Sequence, residues 1–269
     1  MGDFCDNARM STSAQQTTTR EAPLLHEENG ELSLHFNFPT IQSRMLKTDP
    51  ERLVLDYTRT MMGFLLFNPK PERIAMIGLG GGSLAKYCRR KLPGSKFIAV
   101  EVSPDVIGLR DQFGIPPDDA LLNILCADGA DFVRDESESL DVLLVDGFDS
   151  GGQPERLCSA AFYDDCHAAL RAGGILVVNL CADDTSYGSY VNRIGDSFAG
   201  KMAVVEAEEG DNKIVFACKD GNFPPSFTEL AERLRQLESA HPVGLDRTAQ
   251  MILHPKKTRN NGNARKKRR

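Results

Sequence analysis

The sequence predicts an α/β fold: a doubly wound, mostly parallel seven-stranded sheet with a C-terminal antiparallel hairpin, preceded by a short N-terminal β-hairpin. Three observations carry this. Short apolar runs alternate with helix-compatible stretches from Arg73 to Phe198, as a parallel sheet with helical crossovers requires. The first of these runs, Arg73 to Ile77, stops abruptly at Gly78-Leu79-Gly80-Gly81-Gly82 and passes into a helical stretch from Ser83 to Arg90. The following runs deliver Glu101, Asp128 and Asp146 at their C-terminal ends, and in such a sheet the ligand lies beyond the carboxyl ends of the strands.

Taken in order, Met1 to Asn29 is rich in Thr, Ser, Gln and Glu and shows no sustained period, so a disordered leader is expected. Leu32, Leu34, Phe36 and Phe38 then alternate with Ser33, His35 and Asn37. That is a half-buried strand, with His35 on its polar face. Pro39-Thr40 breaks it, and Ile41 to Leu46 returns as the second arm of a hairpin. Asp49-Pro50 reads as an N-cap with proline at the first helical position. Leu53, Tyr57, Met61, Phe64 and Leu65 follow at helical spacing as a core-facing stripe.

The central strand and glycine turn come next. Pro93-Gly94 turns the chain into a second strand ending at Glu101, and Ser103-Pro104 opens a further helix through about Phe113. Leu122 to Cys126 and Leu140 to Val145 are the third and fourth strands, ending at Asp128 and Asp146. A helix from Ser159 to Leu170 leads through Gly173-Gly174 to a fifth strand, Ile175 to Leu180. Tyr187 to Phe198 is helical, and Ala203 to Ala207 pairs with Lys213 to Cys218 across a turn. Thr228 to Ser239 is an exposed, charged helix. Four segments result: a leader over 1–29, a β-hairpin over 30–48, a Rossmann-like nucleoside-binding domain over 49–240, and a C-terminal segment over 241–269.

Composition narrows the partners. The formal charge is −6, but the stretch from His254 to Arg269 holds eight Lys or Arg and no acid, which leaves −14 for the rest. An acidic body disfavours nucleic acid except through that basic tail. Seven cysteines form no C-x-x-C pair, so no metal site is expected and a reducing compartment is. With no charged leader before an apolar run, and no apolar run long enough for a bilayer, a cytoplasmic protein without membrane partners is expected.

Each candidate site residue has a structural alternative. The glycines bring backbone N–H groups close to a ligand, or make a plain tight turn. Glu101 is placed for ribose hydroxyls, or is a surface acid. Asp128 ends its strand at the ligand edge, or caps the following helix. Asp146 and Asp149 are site carboxylates, or cap their own loop.

These segments resemble the spermidine synthase family, the polyamine aminopropyltransferases, within the class I S-adenosylmethionine-dependent methyltransferase fold. The resemblance rests on Ile77-Gly78-Leu79-Gly80-Gly81-Gly82, Val100-Glu101-Val102, Cys126-Ala127-Asp128-Gly129 and Asp141 through Asp149. It implies that Gly78, Gly80, Gly82, Glu101, Asp128 and Gly129 bind the nucleoside, with Glu101 on the ribose hydroxyls and Asp128 on the adenine amino group. It implies that Asp146 takes or orients the proton of an attacking amine and that Asp149 holds the acceptor's cationic part. The implied reaction passes an aminopropyl group from decarboxylated S-adenosylmethionine to a small amine. Three departures qualify it. Gly81 stands where the family has an aspartate, Arg59 where it has an acceptor-binding glutamate, and Ser150 where a proline follows the second aspartate. They keep open a methyltransferase using S-adenosylmethionine and a non-catalytic nucleoside-binding protein. The sequence is compatible with a homodimer.

Overall fold

In the computed structural model, residues 22–37, 39–149 and 151–254 are described. The expected leader up to residue 21, Phe38, and the basic tail from residue 255 lie outside them.

Two sheets are present. The smaller has three antiparallel strands: β1 (Leu24–Glu28), β2 (Glu31–His35) and β3 (Ser43–Leu46), in that order. The expected hairpin is β2–β3, and β1 is an addition to it. Its residues, LLHEE, are all exposed, so no alternation marks them in the sequence. The signal lies in the turn: Asn29 and Gly30 both adopt positive φ, and an Asn-Gly pair is a strong two-residue hairpin signal. Residues 24–29 are thus structured, not leader. His35 is also corrected. It is 4% exposed and its ring meets Ser33 Oγ and Thr40 O, each at 2.9 Å.

The larger sheet has seven strands. Five are β4 (Arg73–Ile77), β5 (Lys96–Glu101), β6 (Leu122–Cys126), β7 (Leu140–Val145) and β8 (Leu170–Cys181). The last two, β9 (Met202–Glu206) and β10 (Asn212–Cys218), form the hairpin. Their order is β6-β5-β4-β7-β8-β10-β9. The first five run parallel, and β10 pairs antiparallel with β8 and β9, as the sequence predicts. The order reverses at β4, whose neighbours are β5 and β7, so the crevice opens at the tips of these strands.

The sheet is buried on both faces, and alternate residues of β4 enter opposite cores. Ile74 and Met76 join one core, with residues of α1 (Asp56–Met61), α2 (Ser83–Lys91), α7 (Phe227–Leu237) and α8 (Leu245–Leu253). Ala75 and Ile77 join the other, with α4 (Gly129–Asp135), α5 (Ala160–Ala169) and α6 (Tyr187–Ser197). α3 (Pro104–Ile107) has the expected cap, Val106 N–H donating to Ser103 Oγ, but it stops at Ile107 and gives way to turns before the expected end at Phe113.

Three elements depart from expectation. Asp49-Pro50 is a turn, not a helix start; α1 begins at Asp56, and the Arg59 guanidinium reaches back to donate to Leu53 O and Val54 O ahead of it. α7 is not merely exposed: Leu230 and Leu237 are buried. And α8 was not foreseen, although Leu245, Ala249 and Ile252 share one buried face. Packing of the large core therefore continues past residue 240.

Candidate active site

The strand tips bring most of the sequence-derived residues together. At the β4 tip, Gly78 has φ +91° and its N–H donates to Val100 O at 2.8 Å. A Cβ there would lie 2.3 Å from Asp146 O, so only glycine lets the turn pass under the β7 tip. Gly80 follows in the same turn, and Gly82 is the left-handed N-cap of α2. Gly81 is closed for another reason. Its φ is ordinary, but a Cβ would lie 2.7 Å from both Phe113 Cδ1 and Ser43 Oγ.

Glu101, 9% exposed at the β5 tip, clamps this turn. Its Oε2 accepts from Leu79 N–H and its Oε1 from Ser103 N–H, both at 2.9 Å. The surface-acid alternative is thereby set aside: the carboxylate holds the glycine turn and the following cap in one place. Each oxygen keeps a further acceptor position.

Asp128, at the β6 tip, is a helix cap. Its Oδ1 accepts from Ala130 and Asp131 N–H, and its Oδ2 pairs with Arg156 Nη1 at 2.7 Å. Arg156 also reaches Asp131 at 2.6 Å, holding that carboxyl below its usual range; Asp131 is therefore paired, not merely solvated. Only Asp128 Oδ2 has acceptor capacity left. Gly129 sits where a Cβ would lie 2.3 Å from Ile77 Cγ2, so its small size seats α4 on the β4 tip.

Asp146, at the β7 tip, is partly buried. Its Oδ1 accepts from Asn179 Nδ2 at 2.8 Å and its Oδ2 from the Tyr57 hydroxyl at 3.2 Å. Burial raises its pKa, and those two hydrogen bonds oppose the rise. Burial and the neighbouring Asp146 together push the Tyr57 phenol well above its ordinary value. Tyr57 is therefore a protonated donor, and Asp146 an acceptor with a strengthened affinity for a proton. Asp149 lies apart from this pairing. It is exposed, exchanges backbone hydrogen bonds with Gly152 and accepts from Gly151 N–H at 2.7 Å, capping its own loop.

Three participants escaped the sequence reading. Tyr57 sat in an apolar helical stripe and, although the family resemblance aligns Tyr57-Thr58-Arg59 with an acceptor-binding segment, was given no role of its own; Asn179 sat inside the apolar β8. Arg156 lies in a single 3-10 turn, Glu155–Leu157, too short to show a period. The available signal for Asn179 was a lone amide in the buried run Ile175 to Leu180, which needs a partner. Among the described residues, no group of three His, Cys, Asp or Glu could hold a metal.

A seven-stranded sheet with a glycine turn and acids on successive strand tips defines the class: the S-adenosylmethionine-type nucleoside-binding α/β fold. Comparison with known proteins refines this. Residues 55–187 match the spermine/spermidine synthase domain. The chain is 38% identical to the polyamine aminopropyltransferase of Chromobacterium violaceum over 80% of its own length and 82% of the relative's. It is 36% identical to that of Neisseria meningitidis over 82% and 84%. The chain belongs to the polyamine aminopropyltransferase family.

Solved structures agree on the fold. A probable spermidine synthase from Corynebacterium glutamicum superposes with TM-score 0.66 at 21% identity, covering 80% of this chain and 83% of the other. Human methyltransferase-like protein 13, in complex with SAH, gives 0.61 at 20%, covering 78% and 97%. A spermidine synthase in complex with the transition state analogue AdoDATO gives 0.58 at 19%, covering 82% and 89%.

Proposed function

We propose that this chain transfers the aminopropyl group of decarboxylated S-adenosylmethionine to a small amine, as an enzyme of polyamine biosynthesis. Family membership supports the transfer. The observation that carries the residue-level reading is Asp146, whose partly buried carboxylate is held by Tyr57 and Asn179 and whose backbone lies against Gly78 of the glycine turn. The neutral amine nitrogen attacks the carbon bound to the sulfonium. The carbon–sulfur bond breaks, its electron pair goes to sulfur, and methylthioadenosine leaves as a neutral thioether. The new ammonium gives its proton to Asp146, whose raised proton affinity suits it as a base. Fixing amine, carbon and sulfur in line supplies much of the rate.

In this reading Glu101 offers its remaining acceptor positions to the ribose hydroxyls, and Asp128 Oδ2 offers one to the adenine amino group, shared with Arg156. Asp149 is solvent-facing and attracts the acceptor's distal ammonium. The domain acting here spans 49–253, since α8 completes its core. No helix among the described residues is long and apolar enough to cross a membrane. The test is incubation with decarboxylated S-adenosylmethionine and putrescine. Equimolar methylthioadenosine and aminopropylated amine are expected. Methylated amine and S-adenosylhomocysteine from ordinary S-adenosylmethionine, with no aminopropyl product, would instead mark a methyltransferase.

A further inference from the structure

We propose that Asn212 is a positioning residue: its amide fixes which end of Asn179 faces Asp146 and so keeps Asp146 ready to accept a proton. This rests on the reading of Asp146 as the base.

Asn212 opens β10, in register with Cys181 of β8. Its Nδ2 donates to Asn179 Oδ1 at 2.9 Å, and Asn179 Nδ2 donates to Asp146 Oδ1 at 2.8 Å. Asn179 is 2% exposed. An asparagine amide has one accepting and one donating end, so the two bonds are coupled. With Asn212 donating to the oxygen, the NH2 group must face Asp146. Turning the Asn179 amide over would set its oxygen against an Asp146 oxygen. Two acceptors meet comfortably only when the carboxyl carries a proton, which removes the base.

The hairpin that carries Asn212 is anchored from two sides. The buried Asp56 carboxylate accepts from the N–H groups of Glu208 and Glu209, and Arg247 donates to Glu206 O. A relay thus runs from the first residue of β10 through Asn179 to the β7 tip. The titratable group facing Asp146 is Tyr57 from α1; β4 presents backbone and β8 presents Asn179. Beside Asn212 the charged side chains are Asp211 and Lys213, the latter paired with Glu206.

The test is the pH profile of kcat for Asn212→Ala and Asn212→Asp, with methylthioadenosine affinity and urea midpoints measured alongside. Asn212→Asp keeps the shape but replaces the donor with an acceptor, which draws the Asn179 NH2 away from Asp146. Its acid limb is expected about one pH unit higher, with kcat roughly tenfold lower at pH values on that limb and nucleoside affinity within twofold. Asn212→Ala is expected to shift the limb in the same direction by less. If Asn212→Asp fails to fold, Asn212→Ala decides alone. An acid limb that stays or moves down in the folded variants overturns the proposal. Asp146→Asn separates the two readings. If it retains transfer, the base reading falls and this one with it. If it abolishes transfer while the Asn212 profiles match wild type, only the Asn212 role is lost.

Discussion

At the scale of single residues, the closure of position 81 alters what an acid there would do. A side chain at Gly81 meets Phe113 and Ser43 at 2.7 Å. Gly81→Asp should therefore cost about 1–3 kcal/mol of stability, read as a lower urea midpoint, before any effect on donor choice. An unchanged midpoint with sharper rejection of ordinary S-adenosylmethionine would show that the pocket yields. Glu101→Gln should act on both loop and ligand. The amide sets an NH2 against Leu79 N–H or Ser103 N–H, leaving a buried group unpaired at about 1–3 kcal/mol. Methylthioadenosine affinity should fall at least tenfold by calorimetry, and unchanged affinity would remove the ribose role. Glu101, Asp128 and Asp146 were legible in the sequence because strand runs end at them, whereas Asp149 entered only through the family resemblance. What the sequence hid was their other employment: Asp128 is both cap and partner of Arg156, and Asp149 caps its own loop. Those contacts join residues distant in sequence or depend on loop shape, which periodicity does not encode.

At the scale of elements, α2 is tied down by a buried cation. Lys86 is 2% exposed, its Nζ donating to Phe113 O at 2.6 Å and lying 3.2 Å from Met45 Sδ. Burial lowers its pKa from 10.5 to about 8. Between these values the unfolded chain binds more protons than the folded one, so this group makes stability rise with pH. Below pH 8 the folded state carries the full penalty of the charge, about 3 kcal/mol; near pH 10.5 it is gone. Relative to Lys86→Met, wild type should gain stability from pH 7.5 to 10 in urea titrations. A parallel pair of curves would refute the buried charge. Asp56 is the matching anchor on α1, and Asp56→Ala should speed amide exchange at Glu208 and Glu209, whose N–H groups it accepts. Strands β4 to β10 were legible because buried runs and strand-tip turns are local signals. α1 starts later than predicted, and the arginine bonds to the carbonyls ahead of it join residues that periodicity does not connect. β1 was missed because none of its side chains is buried, so that only its Asn-Gly turn could reveal it.

At the scale of the whole molecule, the sheet order places the glycine turn between Glu101 on one side and Asp146 on the other, and two cores clamp that arrangement from both faces. α8 completes one core at Leu253, so a chain ending there should retain transfer activity and nucleoside affinity; loss of either would make the basic tail part of the site. The overall architecture was legible because seven strand runs and their connections are written in the sequence. The C-terminal helix was not, because its apolar face is only a few residues long. The central claim is that Asp146 takes the proton of an attacking amine while other residues hold the nucleoside. The most direct measurement pairs product analysis with binding for Asp146→Asn, using decarboxylated S-adenosylmethionine and putrescine for the first and methylthioadenosine for the second. The account predicts that aminopropyl transfer falls by about 10²-fold or more while methylthioadenosine affinity stays within a few-fold. Transfer at the wild-type rate, or nucleoside affinity lost together with transfer, would contradict it.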